Sequence, residues 1–485
     1  MAAMATVWTP ELGMASSPCC CCRCYFPSAP RPLPLPSAKF PISFSFSSSS
    51  SSVSLTGFSL GLGKWKEGVG RKMWRIGTPG YAWQRKKGAA TLQPRALGVS
   101  SIGQKPYTAV MIVPTGTGAT IGGFAGDALP VARALASVVD CLITHPNVLN
   151  GAMLYWPMPN TLYVEGFALD RFAEGAWGLQ PVHQNRVGLV LDAGIEEELQ
   201  LRHLQVADAA RATLGLPVLE YTVTDTPLQV EKWIDEATGT STGRLGRPDS
   251  LLRAVDTLIK RAQVDAVAVV GRFPDDSVDE LQDYRQGQGV DVLAGVEAVI
   301  SHMVVKEFQI PCAHAPALSP LPFDPSISPR SAAEEIGYTF LPCVLAGLSR
   351  APQLVRKRNR GGAGTLWADD VDCVVVPSDA CGGNGTLALC HKTGRKPLLI
   401  AVEENETVLD DTPEKLQLNN LRVANYWEAL GVIAAHKAGV NPHALRRNGV
   451  NHLHRIEGPL LSETSLGSLK RLQAAQLVMS GVHSN

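Results

Sequence analysis

Short runs of apolar, largely β-branched residues alternate along the chain with longer stretches in which apolar residues recur at helical spacing. The apolar runs predict strands at 108–113, 140–144, 187–191, 266–270, 372–376 and 398–402. Because these runs are nearly continuous, they are typical of parallel strands that helices cover on both faces. The helical spacing predicts helices at 127–138, 251–262, 331–348 and 421–438, the last beginning after the capping pair Asn419 and Asn420. We therefore predict an α/β fold of mostly parallel sheets with flanking helices.

Loops rich in glycine, proline or charge interrupt this pattern. The segment 356–364, RKRNRGGAG, is a loop by composition, and we place a domain boundary there. The predicted domains are a first α/β lobe at 101–355 and a second at 356–485, which ends in C-terminal helices. The segment 311–329 carries six prolines. It is predicted to be a long loop, of the kind that often acts as a lid or binding loop.

Two distant segments share one design. Segment 109–129 reads AVMIVPTGTGATIGGFAGDAL, and segment 372–389 reads DCVVVPSDACGGNGTLAL. Each has an apolar strand, then Val-Pro, then a glycine-rich loop and a predicted helix. Each is followed by a strand that ends in polar residues, ITHPN at 143–147 and AVEEN at 401–405. The similarity predicts a pseudo-repeat, with two pseudo-symmetric lobes facing each other across a cleft.

Both glycine-rich loops are candidates for ligand binding. Glycine lets the backbone approach a ligand closely, and free N–H groups at the start of the next helix attract an anion. The spacing fits neither a dinucleotide-binding fingerprint nor a nucleotide-triphosphate loop. Tight turns needed only for packing are the alternative. The candidate ligand-binding residues, from the loops and from the strand ends beside them, are Thr115, Gly116, Thr117, Gly118, Asn147, Ser378, Gly382, Gly383, Asn384, Gly385, Thr386 and Glu403.

Four side chains are candidates for catalysis, because each follows the predicted carboxyl end of a strand. Cys381 precedes a helix, where the pKa of a thiol can be lowered, although cysteine is more often a small buried residue. Asp379 is either a ligand-binding group or a helix cap, and Asp192 has the same two interpretations. His145 can act as an acid or base near neutral pH, or can have a structural role in its turn. We expect all four at one edge of one sheet.

The first 100 residues have a different composition from the rest of the chain. They hold twelve Lys and Arg but only two acidic residues, together with a serine run at 47–52 and a proline-rich stretch. This composition is typical of an organelle transit peptide followed by a disordered linker. The serine and proline content favours the chloroplast stroma over the mitochondrion, with cleavage between residues 85 and 106.

Removing that segment changes the charge of the remaining chain. Residues 101–485 hold 32 basic and 42 acidic side chains, a net charge of −10, although the whole chain is neutral. A surface of this sign repels phosphate backbones, so no nucleic-acid partner is predicted. No run of 18 apolar residues occurs, so no integral membrane span is predicted.

The cysteines suggest neither disulfides nor zinc. Five of the eleven lie in the predicted transit peptide, and the other six are dispersed through apolar segments. Such dispersion suits a reducing compartment. The spacing of Cys and His residues matches no zinc motif, so no metal site is predicted, and no cofactor is identified.

Several of these motifs resemble a family of uncharacterised proteins shared by cyanobacteria and plants and known as a domain of unknown function. The motifs are VPTGTGATIGGFAGDA at 113–128, THPNVLNGA at 144–152, NTLYVEG at 160–166 and PSDACGGNGTLAL at 377–389. The resemblance spans about 107–445 and implies a plastid protein of cyanobacterial ancestry, without an activity. The two-lobed plan is also similar to that of aspartate and glutamate racemases. The first loop, however, has Thr115 and Thr117 where a second cysteine would be needed.

Three hypotheses follow from the sequence. The first is a stromal enzyme that binds a small anionic metabolite, bearing phosphate or carboxylate, between the two glycine-rich loops. The second is a non-catalytic factor that uses the same cleft for ligand sensing or assembly. The third is a racemase-like or isomerase-like enzyme that uses Cys381.

Overall fold

The computed structural model describes residues 105–150, 152–277, 281–337, 341–356, 362 and 364–454, all within one compact unit. The strands are β1 (Thr108–Met111), β2 (Cys141–Thr144), β3 (Thr161–Tyr163), β4 (Gly178–Gln180), β5 (Val187–Leu191), β6 (Val218–Val223), β7 (Val230–Ile234), β8 (Ser241–Leu245), β9 (Ala266–Arg272), β10 (Cys312–Ala317), β11 (Gln353–Val355), β12 (Val371–Pro377), β13 (Leu398–Val402) and β14 (Leu421–Val423). The α-helices are α1 (Leu129–Val138), α2 (Pro146–Leu149), α3 (Ala152–Tyr155), α4 (Gly166–Ala173), α5 (Glu197–Leu214), α6 (Pro248–Thr257), α7 (Gln282–Arg285), α8 (Ala294–Phe308), α9 (Pro329–Glu335), α10 (Leu341–Leu348), α11 (Asn384–His391) and α12 (Tyr426–Lys437).

A six-stranded parallel sheet joins the two ends of the described chain. Its strand order is β14-β13-β12-β1-β2-β3. The central strands β1 and β12 are buried along their whole lengths and pair in parallel, with Met111 opposite Val375. Both faces of these strands are covered, which explains why their sequences are continuous apolar runs instead of alternating ones.

A second parallel sheet has four strands in the order β10-β9-β5-β6. Two short antiparallel ribbons, β4 with β11 and β7 with β8, accompany the large sheets. The predicted α/β fold of mostly parallel sheets with flanking helices is confirmed. In the described part of the chain no helix is both long enough and apolar enough to cross a membrane.

The six predicted strands are all present, and those at 187–191 and 398–402 have the predicted bounds. Two other segments were predicted wrongly. The segment 311–329 was predicted to be a loop, but it contains β10, which pairs with β9 through six residues. Its alanines and Pro316 are not typical of strands, so the sequence did not predict a strand that forms by pairing with a distant segment. The helix predicted at 421–438 is strand β14 followed by α12, whose N-cap is Asn425 and not Asn419 or Asn420.

The other three predicted helices differ from the structure in extent, and the one predicted at 127–138 is α1, which begins two residues later. The helix predicted at 331–348 is replaced by the separate helices α9 and α10. The helix predicted at 251–262 begins three residues earlier, as α6, and its last turn is a π-helix at Leu258–Ala262. These differences change where helices begin and end but not the predicted class of fold.

The predicted pseudo-repeat lies within a single sheet. The chain leaves β1 toward β2 on one side, and it leaves β12 toward β13 on the other side. The boundary between β1 and β12 is therefore a topological switch point, where open parallel sheets bind ligands beyond the carboxyl ends of their strands. The domain boundary predicted near residue 356 stays a prediction, but the chain on both sides of it contributes strands to this sheet. The predicted transit peptide, 1–100, lies outside the described residues.

Successive residues of β1 face opposite sides of the sheet. Ala109 and Met111 pack in one core cluster with residues of α1 and α12, such as Leu135 and Ala429. Val110 packs in the other cluster with residues of α4 and α11. The helices that follow β1 and β12 thus cover opposite faces, as right-handed crossovers running in opposite directions require.

Candidate functional site

A cavity of about 200 Å³ lies beyond the carboxyl ends of β1 and β12, at the switch point. Its lining combines residues that follow β1 and β2, the second glycine-rich loop, the start of α4 and one residue of α8. The lining residues are Ile112, Pro114, His145, Gly166, Leu169, Asp170, His302, Ala380, Gly382, Gly383, Asn384, Gly385, Thr386, Leu409 and Asp411. A larger depression between Arg133 and Trp156 is open to solvent and lies away from these strand ends, so we take the smaller cavity as the candidate site.

The second glycine-rich loop is held between two carboxylates. A Cβ atom at Gly382 would lie 2.3 Å from Oδ2 of Asp411, and one at Gly385 would lie 2.9 Å from Oδ1 of Asp170. Glycine is needed at these two positions because the carboxylates occupy the space that a side chain would take. Gly383, between them, has no atom within 4 Å of its Cβ position. The loop therefore presents its middle residue to open space in the cavity.

The N-terminus of α11 is available to a ligand. Its N-cap is Gly383, with φ −62° and ψ 143°, which has no side chain to cap the helix, and the N–H of Gly385 in the first turn interacts with the carboxylate of Asp170. The first N–H groups of a helix have no partner within the helix and carry the positive end of its dipole. Asn384 and Thr386, in the first turn, line the cavity. This end of α11 favours an anionic group.

His145 lies just beyond β2 and is 3% exposed. Its Nε2 atom accepts a hydrogen bond of 3.0 Å from the backbone N–H of Val113, so the proton of the neutral ring is on Nδ1. No group in the described part of the chain accepts from Nδ1. Burial lowers the pKa of His145 to about 4. The ring is therefore neutral at physiological pH and offers the cavity a hydrogen-bond donor.

Three further titratable groups meet at the α4 side of the cavity. Glu165 is the N-cap of α4, and its Oε2 accepts from Ala168 N at 3.1 Å. Its Oε1 lies 2.5 Å from Nδ1 of His302, close enough for an ion pair although the alignment is not that of a directed hydrogen bond. Burial by itself would lower the pKa of His302, but the carboxylates of Glu165 and Asp170 outweigh burial and raise it. His302 is therefore more readily protonated than an ordinary histidine.

Asp170 has a carboxyl group whose pKa is shifted toward neutrality. Burial raises it to about 6, while the positive charge of His302 and the N–H of Gly385 act in the opposite direction. The carboxyl group can therefore gain or lose a proton within the physiological range. An Asp and a His with shifted pKa values in one cavity are typical of acid–base catalysis.

The glycines of the first glycine-rich loop do not line this cavity. Gly116 lies against Ser241 and Gly118 against Val290, both with positive φ, and only Pro114 of the loop lines the cavity. Several N–H groups of the loop already donate within the protein: Thr120 to Glu406 O, Ile121 to Asn405, Gly122 to Asp127 and Ala125 to Glu334. These contacts hold the second half of the loop as a packed turn. Gly116 and Gly118 do not line this cavity, so their predicted role in ligand binding stays a prediction.

Three other residues predicted to bind a ligand, in or near the first loop, are buried within the protein and do not face the cavity. Thr117 donates to Pro114 O at 2.8 Å, and Asn147 donates to Gly122 O at 2.8 Å. Thr115 is buried, and in the described part of the chain its Oγ1 has no hydrogen-bond partner. None of the three lines the cavity.

Asp379 and Cys381 flank the second loop but do not line the cavity. Asp379 accepts from Thr407 N at 2.7 Å and from Thr407 Oγ1 at 3.0 Å, which fixes the loop after β13. The Cys381 thiol is buried, and its Sγ donates to Pro377 O at 3.6 Å. Burial raises the pKa of Cys381 to about 12, so the thiol is protonated at neutral pH. This environment argues against the predicted nucleophilic cysteine.

Asp192 lies at the end of β5, in the four-stranded sheet, so the predicted candidates do not share one sheet edge. Its carboxylate accepts from the backbone N–H groups of Gly194, Leu228 and Arg272. Glu403 is exposed and pairs with Arg422 at 3.3 Å, and the N–H of Ser378 donates to Val402 O. These contacts join loops and strands and are structural.

The prediction from sequence missed Glu165, Asp170, His302 and Asp411. Glu165 lies two residues after the end of β3, in NTLYVEG, so its position near a strand end could have been noticed. Asp170 and His302 lie within helices and have no local signal, because only packing of α4 and α8 at the sheet edge brings them to the cavity. In the described residues no group of three or more His, Cys, Asp and Glu side chains is arranged to hold a metal ion.

Comparison with known proteins identifies the family. Residues 108–446 match the family described as "Protein of unknown function (DUF3326)". An uncharacterized lipoprotein of Synechococcus sp. is 59% identical over 342 residues, which cover 70% of this chain and 94% of that protein. No solved structure matches the chain. The resemblance to an uncharacterised family with cyanobacterial members is thereby confirmed, and the chain belongs to the DUF3326 family.

Proposed function

We propose that the protein is an enzyme that binds a small anionic metabolite, bearing a carboxylate or phosphate group, in the cavity at the switch point. The main support for this proposal is the unpaired hydrogen-bond donor of His145. His145 lines the cavity, and among the described residues no group accepts a hydrogen bond from its buried Nδ1–H. A buried donor without a partner costs about 1–3 kcal/mol, and a ligand oxygen that accepts from it removes this cost.

The surroundings of His145 supply two more attractions for an anion. The N-cap of α11, Gly383, has no capping side chain, and Asn384 and Thr386 in its first turn line the cavity, where the positive end of the helix dipole favours an anion. His302, whose pKa is raised by the carboxylates of Glu165 and Asp170 against the effect of burial, is more readily protonated than an ordinary histidine and can then attract an anion. The volume of about 200 Å³ is below the roughly 300–1,000 Å³ of sites for drug-sized ligands, so a small metabolite is favoured over a nucleotide cofactor.

Catalysis is favoured over simple ligand sensing by the protonation behaviour of two cavity residues. The pKa of Asp170 is raised to about 6, and that of His302 is raised by nearby carboxylates. Asp170 can exchange a proton near neutral pH, which a binding site does not require but a general acid or base does, and His302 beside it is an imidazole that can accept or donate a proton. In the proposed enzyme Asp170 and His302 transfer protons, Glu165 orients His302, and His145 and α11 hold the anionic group.

Thermal unfolding in the presence of small phosphates and carboxylates tests the binding proposal. The wild-type protein should be stabilised by at least one member of the panel, since a ligand present at 100 times its Kd adds about 2.7 kcal/mol. His145→Gln keeps an acceptor for Val113 N–H but has no donor at the Nδ1 position. It should bind the same ligand about tenfold more weakly, which corresponds to one lost hydrogen bond to a charged group.

The matched control for this experiment is His203→Gln, a second buried histidine that does not line the cavity. Its ligand affinity should equal that of the wild-type protein. Equal binding by His145→Gln and wild type would remove the main support for the site. A folded wild-type protein that no phosphate or carboxylate stabilises would contradict the proposed function.

We also propose that the protein acts in the chloroplast stroma, on the strength of the acid-poor, serine-rich first 100 residues. A fusion of residues 1–100 to a fluorescent reporter should enter chloroplasts. A fusion of residues 101–485 alone should stay in the cytosol. Cytosolic signal from the first fusion would contradict the proposal.

A further inference from the structure

Strand β6 lies at one edge of the four-stranded sheet, where it pairs with β5 and, in the described part of the chain, with no other strand. The strand at the opposite edge, β10, is buried along its whole length. In β6, by contrast, only Val218 is buried. Three apolar side chains of β6 are exposed: Leu219 by 43%, Tyr221 by 54% and Val223 by 40%. The sheet therefore has one buried edge and one open edge.

The backbone of β6 has hydrogen-bonding groups to offer at this open edge. The N–H of Thr224 donates to Leu191 O of β5 at 2.9 Å. The pairing with β5 is regular over 220–223, and its register shifts only before that stretch. Because alternate residues of a strand direct their N–H and C=O groups to opposite sides, those of Tyr221 and Val223 point away from β5.

Most of the usual protections of an edge strand are missing from β6. Exposed edges are normally blunted by charged residues, above all Lys, by Pro or by a bulge, which keep another strand from adding to the sheet. Residues 218–224, VLEYTVT, contain no Lys, Arg or Pro, and Glu220 is their single charged residue. The register shift lies at the start of the strand and leaves 220–223 regular. An edge of this kind is suited to pair with another strand.

We propose that β6 pairs in antiparallel fashion with β6 of a second copy of this chain, so that two four-stranded sheets join into one sheet of eight strands. Such a dimer does not depend on the proposed function of the cavity. A two-fold axis relates two copies that pair in this way, so each strand must be complementary to itself.

The sequence of β6 is complementary to itself when the axis passes through Tyr221. Tyr221 then lies opposite Tyr221 of the second copy, and Val223 lies opposite Leu219, so the exposed apolar side chains meet one another. Glu220 lies opposite Thr222, whose hydroxyl group can donate to the carboxylate. The outward backbone groups of Tyr221 are then placed to bond with their counterparts in the second copy.

The two neighbouring registers are less favourable. An axis through Glu220 places the carboxylates of the two copies directly opposite each other, and like charges in this position are destabilising. An axis through Thr222 places the apolar Leu219 opposite the charged Asp225. The charge and apolar pattern of β6 therefore selects a second copy of the same strand, in one register, as its partner.

Substitutions at Thr222 test this register, because Thr222 of each copy lies opposite Glu220 of the other. Thr222→Glu sets two carboxylates against each other at both places and should weaken the dimer about tenfold. Thr222→Lys sets a cation against each carboxylate and should strengthen the dimer about tenfold. Dissociation constants are measured by analytical ultracentrifugation of the full chain, and thermal unfolding checks that each variant is folded.

Thr393→Glu and Thr393→Lys are the matched controls, because Thr393 is exposed and lies in the loop before β13, a strand of the other sheet. Both should dimerise as the wild-type chain does. A wild-type chain that is monomeric up to about 100 µM overturns the proposal. Changes of the same direction in the two Thr222 variants, or changes no larger than those in the controls, also overturn it.

Hydrogen exchange of the wild-type chain provides a measurement that needs no variant. The amides of Tyr221 and Val223 should become protected as the concentration rises through the dissociation constant. Protection that is the same at every concentration would mean that the edge is covered within one chain, and a dimer without this protection would use a different surface. Either result overturns the proposal.

Discussion

Replacing Gly383 by valine is expected to abolish ligand binding, with a loss of affinity of about 100-fold or more, while the protein keeps its fold. The backbone at Gly383 has φ −62° and ψ 143°, which valine adopts without strain, and no atom lies within 4 Å of the Cβ position. The free energy of unfolding should therefore change by no more than about 1 kcal/mol, the difference between glycine and valine as an N-cap.

The loss of binding has a steric origin. Gly383 lines a cavity of about 200 Å³ and caps the helix end that is proposed to hold the anionic group. A valine side chain at this position occupies part of the cavity and keeps the ligand from approaching the first N–H groups of α11. The affinity is measured by calorimetric titration, and the stability by chemical denaturation of the free protein.

Gly431→Val is the matched control for this experiment. Gly431 is exposed on α12, and its Cβ position also has no neighbour within 4 Å. Valine there should leave ligand affinity unchanged and stability within about 1 kcal/mol of wild type. If Gly383→Val binds as tightly as Gly431→Val, the second glycine-rich loop is only a turn, and the site lies elsewhere.

Replacing Asp170 by asparagine is expected to stabilise the protein at pH 8 by about 2 kcal/mol, because a shift of one pKa unit corresponds to about 1.4 kcal/mol. Burial raises the pKa of Asp170 from 3.8 to about 6, so ionising this carboxyl opposes folding. Asparagine is uncharged and keeps an oxygen that can accept from Gly385 N. The attraction to His302 already lowers this pKa, so the expected gain is the net cost of ionising the carboxyl group.

The pH dependence identifies the cause of this stabilisation. The native carboxyl binds its proton more tightly than the unfolded chain does, so its favourable contribution is present below pH 3.8 and is lost as pH rises through about 6. The variant and the wild type should therefore differ little near pH 4, and the difference should grow to its full value above pH 6. Denaturation midpoints measured from pH 4 to 8 give this curve.

Asp410→Asn serves as the control, since the side chain of Asp410 is 79% exposed and the stability of this variant should stay within about 0.5 kcal/mol of wild type at every pH. A destabilised Asp170→Asn protein at pH 8 would mean that the carboxylate, in its charged form, is a structural partner of His302. A stabilised variant that loses ligand-dependent activity would fit the usual conflict between stability and function at an active site.

The order of elements was largely determined by the local sequence. The runs at 187–191 and 398–402 are apolar and β-branched throughout, and such runs form buried strands in almost any arrangement of neighbours. The glycine-rich loops were located correctly because Val-Pro followed by glycines ends a strand. His145 was placed at the cavity because a polar residue directly after a parallel strand lies at the sheet edge, wherever the strand is in the sheet.

Local sequence could not determine which strands share a sheet. The backbone N–H of Thr108 donates to Asp372, 264 residues away, and this contact joins the two predicted lobes in one sheet. Asp192 follows an apolar strand that was predicted as clearly as the strand before His145. It lies in the other sheet, however, where its carboxylate accepts hydrogen bonds from three backbone N–H groups. Strand pairing is decided by packing between distant segments, which no local pattern records.

The two glycine-rich loops have a similar sequence design, and their tertiary surroundings decide which of them lines the cavity. By itself the sequence determined the α/β class, the strand ends, the position of the second loop and the place of His145. Only the tertiary structure decided that the first loop donates N–H groups to the distant side chains of Asn405 and Glu334. Only the packing of α4 and α8 brought Asp170 and His302 to the second loop. The physical reason is that a backbone donor or a carboxylate binds a ligand only where folding leaves it without a protein partner, and that depends on residues far away in the chain.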